Sequence, residues 1–76
     1  MAIRKMKKLS PRGDDLIAEY ETGVTSPARL AEIETEFKHM VSMNYFAVDI
    51  TDKKDTAIRA FDPNADILMI PVVMGG

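Results

Sequence analysis

The chain contains no cysteine, which excludes a disulfide scaffold, a thiolate metal site and a cysteine nucleophile. That absence suits a reducing interior, and a cytoplasmic location is expected. His39 is the single histidine, so no multi-histidine metal site can be built; at its place on a helix it reads as a surface residue. The longest apolar run, Ile67 to Met74, falls far short of the roughly 20 residues that a membrane helix needs. No apolar stretch follows the basic N-terminus, so a secretory signal is not expected. The sequence also lacks a phosphate-cradling glycine loop and a nucleophile–base pair. Asp14 and Asp15 lie in a turn and read as caps. An enzyme is therefore not expected, nor is a bound cofactor or metal.

What is present is one small domain. Seventy-six residues bury only about 60% of their unfolded surface on folding. Charge is unevenly spread. Arg4, Lys5, Lys7, Lys8 and Arg12 supply five of the ten basic residues, whereas from Gly13 onward twelve acidic residues face five basic ones, a net of −7. A basic cluster can serve nucleic acid or an anionic membrane, but no aromatic residues interleave it for base stacking. It reads as a strand with one solvated face, and neither nucleic acid nor membrane is expected as a partner.

Residues 2–9 read as a first strand with Ile3 and Leu9 as apolar anchors and Met6 off their phase. Ser10-Pro11-Arg12-Gly13-Asp14-Asp15 is a dense turn signal. Leu16 to Glu21 alternates, placing Leu16, Ala18 and Tyr20 on one face and Ile17, Glu19 and Glu21 on the other, so the first two elements form a hairpin. Ser26-Pro27 starts a helix, with serine as cap and proline at the first position. Leu30, Ile33, Phe37, Met40 and Val41 make its apolar stripe, and the helix should end near Met43 with Asn44 as a left-handed cap. Tyr45 to Thr51 returns to strand, with Phe46, Val48 and Ile50 on one face. Thr56 to Phe61 is a further strand between the turns Asp52–Asp55 and Asp62–Asn64. Ile67-Leu68-Met69-Ile70, apolar without alternation, predicts a strand buried on both faces in the middle of a sheet, its pairing stopped by Pro71. The order is strand, strand, helix, strand, strand, strand (ββαβββ). The expected class is α+β: a mixed sheet with the single helix across one face and the last strand inserted beside the first, the β-grasp arrangement.

After Pro71 the chain reads Val72-Val73-Met74-Gly75-Gly76, with no evident folding role for the glycines. The segment Ala65 to Gly76 resembles the C-terminus of ubiquitin-like sulfur carriers, the small subunit of molybdopterin synthase and its relatives. There an acidic turn leads into an apolar strand, a proline, short apolar residues and a final diglycine. Bacterial and archaeal ubiquitin-like modifiers share this ending. The match covers about twelve residues. It departs from the carriers at Asn64-Ala65, where they have a glycine, and at Pro71, a single proline where a double one is common. The resemblance implies a ubiquitin-like β-grasp domain over 1–71 and an extended diglycine tail over 72–76.

The same resemblance implies a function for the tail. An adenylating enzyme of the ubiquitin-activating type joins the Gly76 carboxylate to AMP at the cost of ATP, and a nucleophile then attacks the acyl adenylate. Gly76 leaves its carbonyl open, and Gly75 lets the backbone run flat through a narrow channel. A displacement of about 1 Å at such a centre can cost on the order of 10²-fold in rate. Val72, Val73 and Met74 are the expected grip in a partner's groove, although Val72 and Val73 can equally continue the core strand. Ile17, between acidic neighbours, is the candidate for an exposed recognition patch. As a protein modifier, Gly76 ends in an isopeptide bond to a target lysine, with a conjugating enzyme and a deconjugating protease as further partners. Lys5, Lys38, Lys53 and Lys54 are candidate acceptors of further copies. As a sulfur carrier, Gly76 becomes a thiocarboxylate that serves cofactor or tRNA thiolation. A third reading is a β-grasp interaction or assembly module, such as a phage-tail assembly component, with an incidental tail. The modifier is preferred, on the long acidic-faced helix and the missing carrier glycine.

Overall fold

The computed structural model describes residues 3–53 and 55–72. Its elements are β1 (Arg4–Ser10), β2 (Gly13–Tyr20), α1 (Pro27–Ser42), β3 (Tyr45–Asp49), a short 3-10 turn at Thr51–Lys53, β4 (Thr56–Ile58) and β5 (Ile67–Pro71). The strands form one mixed sheet in the order β2-β1-β5-β3-β4. β5 lies between β1, which it pairs in parallel, and β3, which it pairs antiparallel. The class is α+β, with five strands and one helix among the described residues.

Local chemistry sets the helix and the turns. The Ser26 Oγ accepts the Arg29 amide at 3.2 Å and Pro27 opens the helix. This satisfies one of the donors left without an intrahelical partner in the first turn. At the other end Asn44 adopts φ 67°, a left-handed conformation that Asn tolerates and β-branched residues do not, and its amide donates to the Val41 carbonyl at 3.1 Å. Between β1 and β2, Gly13 supplies φ 114° and Ser10 Oγ donates to the Gly13 carbonyl at 2.9 Å.

The core is one cluster. Ile33, Phe37 and Met40 of α1 meet Met6 of β1, Ala18 and Tyr20 of β2, Ala47 of β3, and Ile67 and Met69 of β5. Ala65 joins them, and Leu30, Tyr45, Ile58 and Phe61 pack at its margin. Tyr20 sets its ring edge-on to Phe61, centroids 5.1 Å apart, and its hydroxyl donates to the Ala65 carbonyl at 2.8 Å. Asp66 locks the start of β5 to its neighbours. One carboxylate oxygen accepts the Lys5 amide at 2.9 Å and the other accepts from Arg4 at 3.3 Å. The Asp66 amide donates to Thr51 Oγ1 at 2.8 Å, and its carbonyl accepts the Ile50 amide at 2.9 Å.

Several side chains lie on faces other than those expected. Ile3 and Leu9 are exposed, and Met6, out of their phase, is fully buried. On β2 the register explains the exchange of faces. Met6 stands opposite Ala18 but Lys7 stands opposite Leu16, so Ile17 is an extra residue on β2. Such a bulge inverts the side-chain alternation beyond it. Leu16, expected inside, is therefore 52% exposed, and Ile17, expected outside, packs against the core. In β3 the core-facing phase is Tyr45 and Ala47. Phe46 is turned to the opposite face and is 47% exposed, while Val48 is buried there. Val41, assigned to the helix stripe, is exposed. β4 is three residues long and ends at Ile58 rather than Phe61. β5 buries Ile67 and Met69 completely but leaves Leu68 and Ile70 half-buried, so only one of its faces is fully covered.

Candidate functional site

The candidate site is the end of β5, where the sheet hands the chain to its tail. Pro71 stands opposite Tyr45 in the β3–β5 register. Pro71 has no amide hydrogen, yet pairing does not stop there: the Val72 amide donates to the Asn44 carbonyl at 2.9 Å. The left-handed turn at Asn44 places that carbonyl at the mouth of β3, so helix cap and tail base are joined at one residue. The Val72 side chain is 47% exposed. Val72 thus continues the backbone ladder by one bond without adding its side chain to the core. Val73, Met74, Gly75 and Gly76 lie outside the described residues.

Apolar surface gathers at this base. Val41 and Met43 flank the helix end, and Phe46 stands opposite Ile70 on the neighbouring strand pair. A groove of about 510 Å³ runs beside them, lined by Val41, Tyr45, Phe46, Ala57, Ile58 and Arg59 among others. Val41, Met43, Phe46 and Val72 are each at least two-fifths exposed, and Arg59 brings a cation to the groove. The groove, on the β4 side of β3, can hold an apolar or carboxylate-bearing partner segment.

The expected site residues are not all brought together. Val72 is at the tail base. Ile17 is on β2, two strands away from β5, and is half-buried in a separate groove with Ala18, Arg29, Glu32, Ile33, Thr35 and Glu36. The sequence reading missed Val41, Met43 and Phe46 as surface groups. Tyr45-Phe46-Ala47-Val48 is apolar throughout, so alternation alone cannot say which residues face out. Only pairing with Ile70 and Pro71 fixes it.

One titration is strongly perturbed. The Tyr20 phenol is pushed well above its ordinary value, first by burial and then by the carboxylates of Asp66, Asp62 and Asp49, with Arg4 opposing. This marks a structural hydroxyl held in its neutral, donating form. Among the described residues no three or more His, Asp or Glu side chains are grouped to hold a metal ion. No helix there is long and apolar enough to cross a membrane. Comparison of the chain with protein-family models, with curated proteins and with solved structures finds no match.

Proposed function

We propose that the chain is a ubiquitin-like protein modifier of β-grasp architecture, whose Gly76 carboxylate is adenylated by an activating enzyme and joined to target lysines. The observation that carries the reading is where the tail leaves the fold. A central strand, paired in parallel with the first and covered by the helix on one face, delivers Val72 to the surface with its side chain exposed. In the sequence Val72 is followed by two more apolar residues and two glycines, the residue types that a partner's channel for an extended tail would take. The reading needs Gly76 to be a C-terminal carboxylate, either as encoded or after trimming of a longer precursor.

The chemistry runs in two steps. The Gly76 carboxylate attacks the α-phosphorus of ATP on the activating enzyme, and pyrophosphate leaves. A nucleophile then attacks the acyl carbon and AMP leaves. The chain contributes accessibility, since neither glycine carries a side chain over the carbonyl, and a grip, through Val72, Val73 and Met74. The apolar surface at Val41, Met43 and Phe46 extends that grip onto the folded domain. The carrier reading differs only in the second nucleophile, a sulfur donor that leaves a thiocarboxylate on Gly76. The tail's similarity to sulfur carriers favours it as the second reading.

The test is mass spectrometry on N-terminally tagged chain, expressed in its own host and purified under denaturing conditions, with a version lacking Gly75 and Gly76 beside it. Trypsin leaves Ala60 to Gly76 on a modified lysine, because no lysine or arginine follows Arg59. Conjugates carrying that remnant, absent from the truncated version, establish the modifier. Free chain with sulfur in place of one C-terminal oxygen makes it a carrier. If neither is found, the tail is incidental and the chain is an interaction or assembly module.

A further inference from the structure

Asn44 ties the end of the helix to the base of the tail through its own backbone. Its amide donates to the Val41 carbonyl at 3.1 Å, and its carbonyl accepts the Val72 amide at 2.9 Å. With φ at 67°, it reverses the chain between α1 and β3. Asn and Gly hold that conformation at little cost, whereas a β-branched residue opposes it. The Val72 bond is the last tie between β5 and β3. Alternate residues bond in an antiparallel ladder, so with Val72 opposite Asn44 the next bonded pair inward is Ile70 and Phe46. Pro71 falls between them, where the ladder asks for no amide. Breaking the Val72 bond therefore releases Pro71 and Val72 and moves the root of the tail back to Ile70.

Only four residues lead from Val72 to Gly76, a reach of about 13–14 Å when extended. Over so short a tether, the root decides where the carboxylate is delivered relative to the exposed side chains of Met43 and Phe46, one residue before Asn44 and two after it. A partner that holds this surface and the tail together gains most when the tether matches the span between them, and loses affinity when it slackens. We infer that Asn44 is a positioning residue for the activation of Gly76: its left-handed backbone clamps Val72 and fixes the origin of the tail for the activating enzyme. The inference rests on the activation proposed above. Fixing the backbone of one residue weighs roughly 5- to 30-fold in an equilibrium constant, and Pro71 has its φ fixed already. Loss of the clamp should therefore lower kcat/KM for activation about tenfold, through KM.

The experiment compares the full chain with Asn44→Gly, which keeps the left-handed conformation, and Asn44→Val, which opposes it. Each variant is mixed in equal amount with the wild-type chain, below saturation, in an extract of its own host with ATP and hydroxylamine. The ratio of Gly76 hydroxamates, read by mass spectrometry, gives the ratio of kcat/KM. Amide hydrogen exchange at Val72 reports the clamp itself, and the amide spectrum reports whether α1 and the sheet are intact. Asn44→Val should exchange faster at Val72 and yield about a tenth of the wild-type hydroxamate, with equal rates when each chain alone is saturating. Asn44→Gly should match the wild type in both. Should Asn44→Val not fold, Val72→Pro removes the donor from the tail side, and it should fall about tenfold below Val72→Ala, which keeps the donor. A hydroxamate ratio near one despite fast exchange at Val72 makes Asn44 a helix cap only and overturns the inference, as does a Val72 amide already unprotected in the wild type. No hydroxamate from the wild-type chain with Val72 protected, in an extract that activates a control carrier, overturns the reading of Gly76 itself and this inference with it.

Discussion

Replacing Tyr20 by phenylalanine removes one oxygen atom and tests how the buried centre is held. The ring is 1% exposed and packs on Phe61, so its apolar contacts survive the change. What is lost is the 2.8 Å donation to the Ala65 carbonyl, a group belonging to a residue that is itself 1% exposed. Leaving a buried acceptor short of a donor costs about 1–3 kcal/mol. Taking about 1.5 kcal/mol for a chain of this size, the midpoint of thermal unfolding should fall by about 6–12 °C at pH 7. The loss should also depend on pH, and its sign follows from linkage. The folded phenol is raised above the ordinary value of 10.0, so above that pH the unfolded chain releases a proton that the folded chain keeps. Tyr20 therefore contributes its full stability below pH 10 and loses it as pH rises, at up to about 1.4 kcal/mol per pH unit. The Tyr20→Phe variant has no phenolic proton to lose at this position. Urea unfolding followed by circular dichroism from pH 7 to 11 should show the gap between the two proteins closing above pH 10. A gap under about 0.3 kcal/mol at pH 7, or one that stays constant to pH 11, refutes the reasoning.

The outward turn of Phe46 gives a second test: Phe37→Ala should cost about 3–5 kcal/mol and largely unfold the chain, whereas Phe46→Ala should cost under about 1 kcal/mol by the same urea assay. Ser26→Ala removes the cap at Arg29 and should cost about 1 kcal/mol, read as a shift in urea midpoint at unchanged slope. Asp66→Ala severs the ties to Lys5 and Arg4 and should cost about 1–2 kcal/mol, with faster amide hydrogen exchange at Lys5 than at residues within α1.

Features governed by one or two adjacent residues were legible in the sequence. Ser26-Pro27 and Asn44 bound the helix where they were expected to, and Gly13 closes the first hairpin. Side-chain phase was less legible, because it depends on pairing across distance. The bulge at Ile17 has no signature in Leu16-Ile17-Ala18, and it exchanges the environments of two residues. In β3 the apolar run hides the outward turn of Phe46, and in β5 the same ambiguity overstated the burial of Leu68 and Ile70. For the candidate site, the sequence marked the tail and Val72, but not the apolar surface that Val41, Met43 and Phe46 form at its base. Val41 and Phe46 come together only where the helix end lies beside β3 and β4, and pairing with Ile70 fixes the face of Phe46.

The central claim is that Gly76 is an activated carboxylate, and hydroxylamine trapping tests it most directly. Purified chain is incubated with ATP and an extract of its own host, then treated with hydroxylamine, which captures acyl adenylates and thioesters alike. The account predicts a C-terminal hydroxamate on Gly76 that requires ATP and is absent when Gly75 and Gly76 are deleted, while the deletion leaves the unfolding midpoint unchanged. Complete absence of the hydroxamate, in an extract that activates a control carrier of the same kind, would contradict it.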